Sequence, residues 1–71
     1  MTQNSANLLA QAKQNLRGQL RGHADRIRLT WMNGSLVLAG RLPTFYQKQL
    51  AQEAVRHIQG VRNVENQIAV D

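Results

Sequence analysis

Apolar residues in the first part of the chain recur at intervals of three and four, which is the period of an amphipathic helix. The positions are Leu9, Ala12, Leu16 and Leu20. Gly22 follows the last of them, and glycine often ends a helix because it adopts the left-handed conformation without a steric penalty. We therefore expect a first helix that starts with Ser5 as its cap and stops at Gly22, after a frayed end at residues 1–4.

From Ile27 onward the apolar period changes to two, which is typical of β-strands with one buried face. The inward positions are Ile27, Leu29 and Trp31 on one strand and Leu36, Leu38, Gly40 and Leu42 on the next. Asn33-Gly34 lies between them and is the strongest short hairpin signal, since both residues tolerate positive φ. Gly40 on the inward face leaves space for another part of the chain to approach closely.

A second helix is predicted after Pro43, which ends the second strand. Thr44 and Gln47 have the spacing of a capping box, in which each side chain satisfies a free backbone N–H. The inward face of this helix consists of Gln47, Leu50, Ala51, Ala54 and Ile58, with Val55 on its flank. Gly60 is expected to stop the helix. A third strand then places on one face Val64, Asn66, Ile68 and Val70.

The order α-β-β-α-β leaves a sheet with one apolar face, and that face needs a cover. We predict an α+β fold, a two-layer αββαβ sandwich in which a three-stranded mixed sheet is covered on one face by two helices. The chain has 71 residues, which is enough for one thin core, so residues 5–71 are expected to form a single domain.

An ordered set of residues extends without a gap from the hairpin to the last strand. It consists of Gly34-Ser35-Leu36-Val37-Leu38-Ala39-Gly40, Leu42-Pro43-Thr44, Lys48, Ala51, Gly60-Val61, Val64, Asn66, Ile68 and Val70. In this set the chain resembles the BON domain, a family named for bacterial osmotically induced and nodulation proteins. The resemblance implies the α-β-β-α-β fold and a non-enzymatic module that attaches to phospholipid membranes or takes part in protein assembly in bacterial envelopes. Phe45 and Tyr46 stand where the family usually has small or polar residues.

Charge adds a preference for anionic partners, because the net charge is +5, from nine Lys/Arg against four Asp/Glu. Seven of the basic residues lie in the first 48 positions, where only Asp25 opposes them. Phospholipid headgroups and nucleic acid both fit such a surface, and an ordinary solvated surface is the alternative. Nucleic acid is the weaker candidate, since Gly18 and Gly22 have the wrong spacing for the G-x-x-G loop of a KH domain.

Two sets of residues are candidates for contact with an anionic lipid surface or a protein partner. The first comprises Lys13, Arg17, Arg21, Phe45 and Tyr46. Its three cations are spaced i, i+4, i+8 on the first helix, where they repel one another, and an anionic partner would offset that cost. A solvated flank whose aliphatic stems cover the core edge is the alternative. The second set, on the outward face of the hairpin, comprises Arg26, Arg28, Met32, Val37 and Arg41.

This outward face offers a surface for self-association or for another protein, so an oligomeric assembly domain is an alternative function. Phe45 lies about 180° around the second helix from the core face. It either folds over the sheet edge beside Pro43 or forms an exposed contact point. Trp31 is expected to fill the core, and Asn66 to make a structural hydrogen bond to a turn.

Catalysis, cofactors and metals find no support in the residue types present. There is no cysteine, and His23 and His57 are far apart without a carboxylate at a suitable spacing, so both are expected to be exposed to solvent. The longest apolar run is four residues, Leu36 to Ala39, so no transmembrane segment is expected. The start of the chain lacks the features of a signal peptide. We expect a cytoplasmic location for the chain as it stands, or an envelope location if it is processed from a longer protein.

Overall fold

The computed structural model describes residues 5–71, with the side chains from residue 6 onward. The predicted frayed end and the Ser5 side chain, on which the predicted cap depends, therefore lie outside the described part. The elements are α1 (Ser5–Leu20), a 3₁₀ helix (Arg21–Arg26), β1 (Ile27–Met32), β2 (Ser35–Leu42), α2 (Phe45–Arg56) and β3 (Asn63–Val70). Two helices pack on a three-stranded mixed sheet, which confirms the predicted α+β fold. The 3₁₀ helix was not predicted.

The central strand of the sheet is β2, which pairs antiparallel with β1 and parallel with β3. The hairpin turn forms as predicted, with φ of 48° at Asn33 and 88° at Gly34. The Gly34 carbonyl accepts hydrogen bonds from the N–H groups of Arg62 (2.9 Å) and Asn63 (3.2 Å). The hairpin turn is thereby joined to the start of β3.

The core lies between the sheet and the two helices. Its buried members are Leu8, Ala12, Leu16, Leu20, Leu36, Leu38, Leu42, Ala51, Val55, Ile58 and Ile68. On α1 the buried residue is Leu8 and not Leu9, which is only partly buried, because the row that meets the sheet has a spacing of four throughout. Trp31 packs against this cluster as expected.

Val55 is fully buried, so its predicted place on the flank of α2 is wrong. It lies four residues after Ala51 and therefore continues the row that faces the core. Leu50 and Ala54 lie on the side of α2 that meets α1, where they are only half-buried. The Asn15 side chain of α1 donates to the Ala54 carbonyl at 2.9 Å.

Both predicted helix stops at glycine are displaced. Helix α1 ends at Leu20, the last residue of its buried row, and the left-handed residue is Arg21 (φ 37°) and not Gly22. Helix α2 ends at Arg56, four positions before Gly60. The positive φ of Gly60 (100°) belongs to the following turn, where Ile58 is buried in the core.

The start of α2 is capped by Thr44, whose side-chain oxygen accepts from the Gln47 N–H at 3.1 Å. This confirms one half of the predicted capping box. The Gln47 side chain contacts the Thr44 hydroxyl at 3.5 Å instead of the Thr44 backbone. The cap makes Phe45 the first residue of the helix.

Gly40 is where the end of the 3₁₀ helix meets the inward face of the sheet. Its φ is 138°, and a Cβ at this position would lie 2.1 Å from the carbonyl oxygen of Arg26. The expected close approach is therefore present, and the approaching group is backbone. The absence of a side chain at Gly40 therefore lets the 3₁₀ helix contact the end of β2.

Candidate functional site

Most of the cationic side chains have no carboxylate partner. Among residues 5–71 the ion pairs are Arg41–Asp71 at 2.7 Å and Arg56–Glu53 at 2.8 Å. The other seven of the nine Lys/Arg side chains form no ion pair with a described residue. Their charge is available to a partner.

The first predicted set of contact residues does not form one surface. Lys13 and Arg17 line a depression together with Asp25 and Ile27, on the side of the molecule where β1 lies. Arg21 is not on the α1 stripe, because the helix ends one residue earlier and the left-handed turn redirects the chain. The predicted i, i+4, i+8 spacing of the three cations assumed that α1 continued through Arg21.

Phe45 and Tyr46 form an exposed aromatic pair at the start of α2, with 74% and 72% of their surface accessible. Phe45 therefore does not fold over the sheet edge. Tyr46 lines a groove with Arg21 and Pro43, and Phe45 lines a neighbouring depression with Lys48. We call this surface, consisting of Arg21, Phe45, Tyr46 and Lys48, the aromatic end.

A second cationic surface, which we call the basic edge, lies beside β1. It consists of Lys13, Arg17, Arg26 and Arg28, with Asp25 as its one carboxylate. The basic edge joins residues from both predicted sets, because the 3₁₀ helix packs against α1 and brings residues 24–26 back beside it. Sequence reasoning missed this grouping together with the 3₁₀ helix.

The outward face of the sheet carries Arg28, Met32, Val37 and Arg41, as predicted for the hairpin. Arg26, the last residue of the 3₁₀ helix, lines a depression with Arg28 and Ala39 at the end of this face. Strand β3 adds Glu65 beside Val37 and Gln67 beside Ala39. These two polar residues of β3 make the outward face of the sheet less apolar than the hairpin pattern alone indicated.

Asn66 points inward from β3 and fastens that strand to α2. Its amide nitrogen donates to the Lys48 carbonyl at 2.9 Å and contacts the Gln52 side-chain oxygen at 3.3 Å. Its side-chain oxygen accepts from the Ile68 N–H at 3.3 Å. The expected structural hydrogen bond is present, although its acceptor lies on a helix and not on a turn.

Replacing Asn66 with alanine should lower the free energy of unfolding by about 1–2 kcal/mol, because the half-buried Lys48 carbonyl loses its side-chain donor. Urea denaturation followed by circular dichroism measures this loss. Gln67→Ala is the control, since Gln67 is the exposed neighbour on the opposite face of the same strand. Equal stability of the two variants would contradict a structural role for Asn66.

The histidines do not form a site. His57 is exposed at the end of α2, whereas His23 is half-buried in the 3₁₀ helix, where its Nδ1 atom has no hydrogen-bond partner among the described residues. The prediction of an exposed His23 is therefore wrong, since the unpredicted 3₁₀ helix packs this residue against its neighbours. In residues 5–71 no three potential metal-binding side chains converge. The described helices include none with the length and apolar character to span a bilayer.

Comparison with known families gives one result that covers nearly the whole chain. The family model of the BON domain matches residues 4–71. Among curated proteins, no sequence matches the chain.

Proposed function

Because the chain belongs to the BON domain family, we propose that it is a non-catalytic binding module that attaches to anionic phospholipid surfaces through its aromatic end. The observation that carries this proposal is the exposure of two adjacent aromatic side chains, Phe45 and Tyr46, at 74% and 72%. Two adjacent exposed aromatic rings form an apolar patch, and such patches are typical of surfaces that bind a membrane or another protein.

The position of the aromatic pair suits shallow insertion into a membrane interface. Both rings project from the first turn of α2 and make no part of the buried core, so they enter the headgroup region without disturbing the fold. Aromatic side chains favour this region because one part of the ring system is apolar and the tyrosine hydroxyl stays hydrated.

The cations of the aromatic end supply the electrostatic part of the attachment. Arg21 lies in the Tyr46 groove, which contains no carboxylate among its described residues. Lys48 lies in the Phe45 depression, whose one carboxylate, that of Glu53, is paired with Arg56. Each cation near an anionic bilayer contributes about 1 kcal/mol, so binding should weaken as salt is raised.

We expect the double variant Phe45→Ala/Tyr46→Ala to bind anionic vesicles at least about tenfold more weakly than the natural chain, since two rings lose their burial in the interface. Co-sedimentation with phosphatidylcholine vesicles, with and without phosphatidylglycerol, measures this binding at low salt. The thermal midpoint should stay close to that of the natural chain, because both side chains are exposed.

Met32→Ala is the matched control for the vesicle experiment. Met32 is a large apolar residue that is 58% exposed, but it lies on the outward face of the sheet. Its loss should leave vesicle binding unchanged. The proposal fails if the natural chain does not sediment with anionic vesicles, or if the aromatic variant binds as well as the Met32 variant.

A further inference from the structure

The two edges of the sheet differ in how their backbone groups are used. Each residue in a strand directs its N–H and C=O to one side, and successive residues alternate between the sides. At the β3 edge, the outward N–H of Ile68 is taken by the Asn66 side chain, which is itself fastened to α2. The β3 edge is thereby partly closed to another strand.

The β1 edge is identified by the hydrogen bonds of β2. The Asp71 N–H donates to the Leu42 carbonyl at 3.0 Å, so Leu42 and alternate residues before it bond to β3. The residues between them, which include Val37 and Ala39, therefore bond to β1, where their partners are Thr30 and Arg28. It follows that Leu29 and the other odd-numbered residues of β1 direct their backbone groups away from the sheet.

One of these outward groups is used inside the molecule, since the Ile27 N–H donates to the Ala24 carbonyl. The outward N–H and C=O groups of Leu29 and Trp31 form no hydrogen bond with the described part of the chain. Leu29 also lines the open depression that Lys13 and Arg28 share. The edge of β1 thus offers alternating donors and acceptors beside the basic edge.

We infer that the edge of β1 binds an extended peptide segment with acidic side chains, which adds to the sheet as a further strand. Backbone hydrogen bonds to Leu29 and Trp31 would hold such a segment. Selection for acidic side chains follows from charge, because four cations and one carboxylate surround the edge. This surface is separate from the aromatic end, so the inference does not depend on lipid binding.

A second copy of the chain is the less suitable occupant. Antiparallel pairing of two β1 edges would bring the basic edges of both copies together, and like charges at an interface oppose association. Cationic side chains beside an edge strand are known protection against such pairing. The same cations attract a peptide segment with acidic side chains.

Hydrogen exchange in the natural chain provides the direct test. The probe is a blocked, labelled peptide of about six residues that alternates Glu with Thr. We expect it to bind at low salt and to slow amide exchange at Leu29 and Trp31, while exchange at Ile68 stays unchanged. The same peptide with Lys in place of Glu should not bind.

Two variants and one modified peptide separate strand addition from simple charge attraction. Lys13→Glu/Arg28→Glu should weaken binding of the Glu peptide by at least about tenfold, whereas Phe45→Ala/Tyr46→Ala should leave it unchanged. A Glu peptide with an N-methyl group on every backbone nitrogen should lose binding, because neither of its two edges can then donate hydrogen bonds to β1. The inference is overturned if no Glu peptide binds, if exchange at Leu29 and Trp31 is unaffected, or if the N-methylated peptide binds equally well.

Discussion

Gly40→Ala is expected to lower the free energy of unfolding by about 3–5 kcal/mol, since it adds both a clash and backbone strain. The new Cβ would lie 2.1 Å from the Arg26 carbonyl oxygen, and the φ of 138° disfavours any side chain. The clash is with backbone, so no side-chain rotation relieves it. A domain of this size has a total stability of about 4–10 kcal/mol, so the variant should lose a large fraction of it.

Gly18→Ala is the matched control, because a Cβ at Gly18 meets nothing within 4 Å and the residue lies inside α1. This substitution should raise the free energy of unfolding by about 0.5–1 kcal/mol through the better helix propensity of alanine. Urea titration of both variants by circular dichroism gives the comparison. A Gly40 variant as stable as the natural chain would show that the 3₁₀ helix does not need its contact with β2.

The second large effect is expected at Leu38, in the central strand. Leu38 has no accessible surface, and its replacement by alanine leaves a cavity between the sheet and the helices that should cost about 2–5 kcal/mol. Thermal and urea unfolding both measure this loss. Val37→Ala is the neighbouring control on the outward face, where Val37 is only half-buried.

We expect the Val37 variant to lose less than about 1 kcal/mol, because little apolar surface is withdrawn from water at that position. Comparable losses for the two variants would mean that the outward face is covered in solution. That outcome would support the alternative hypothesis that the chain assembles through the outward face of its sheet.

The elements that could be predicted from the sequence are those with a clear period. The alternation around Asn33-Gly34 predicted both hairpin strands, and the Thr44 cap predicted the start of α2. The 3₁₀ helix, with the sequence RGHADR, contains one apolar residue and no buried one, so no period marks it. The position of Val55 was wrong because α2 packs against both the sheet and α1, and a single inward face does not describe two contacts.

The candidate surfaces were predicted less well than the fold. The angle of Phe45 on the helix, which is a local property, placed it away from the core face but left open whether it folds over the sheet edge. The grouping of Lys13 with Arg28 depends on how α1, the 3₁₀ helix and β1 meet, and no local pattern contains that information. Arg21 lies in the Tyr46 groove and not on the predicted stripe of α1 for a similar reason. Its own left-handed conformation changes the direction of the chain at the end of α1.

The two hydrogen bonds to the Gly34 carbonyl bear on the order of events during folding. The β1–β2 hairpin is local and closes within about 1–10 μs, whereas β3 must return across the whole of α2 before it pairs. The Gly34 carbonyl, which accepts hydrogen bonds from the N–H groups of Arg62 and Asn63, belongs to the hairpin turn itself. Formation of the hairpin, which is fast and local, therefore positions the carbonyl acceptor before the slower pairing of β3 takes place. The start of β3 can then align on the hairpin turn.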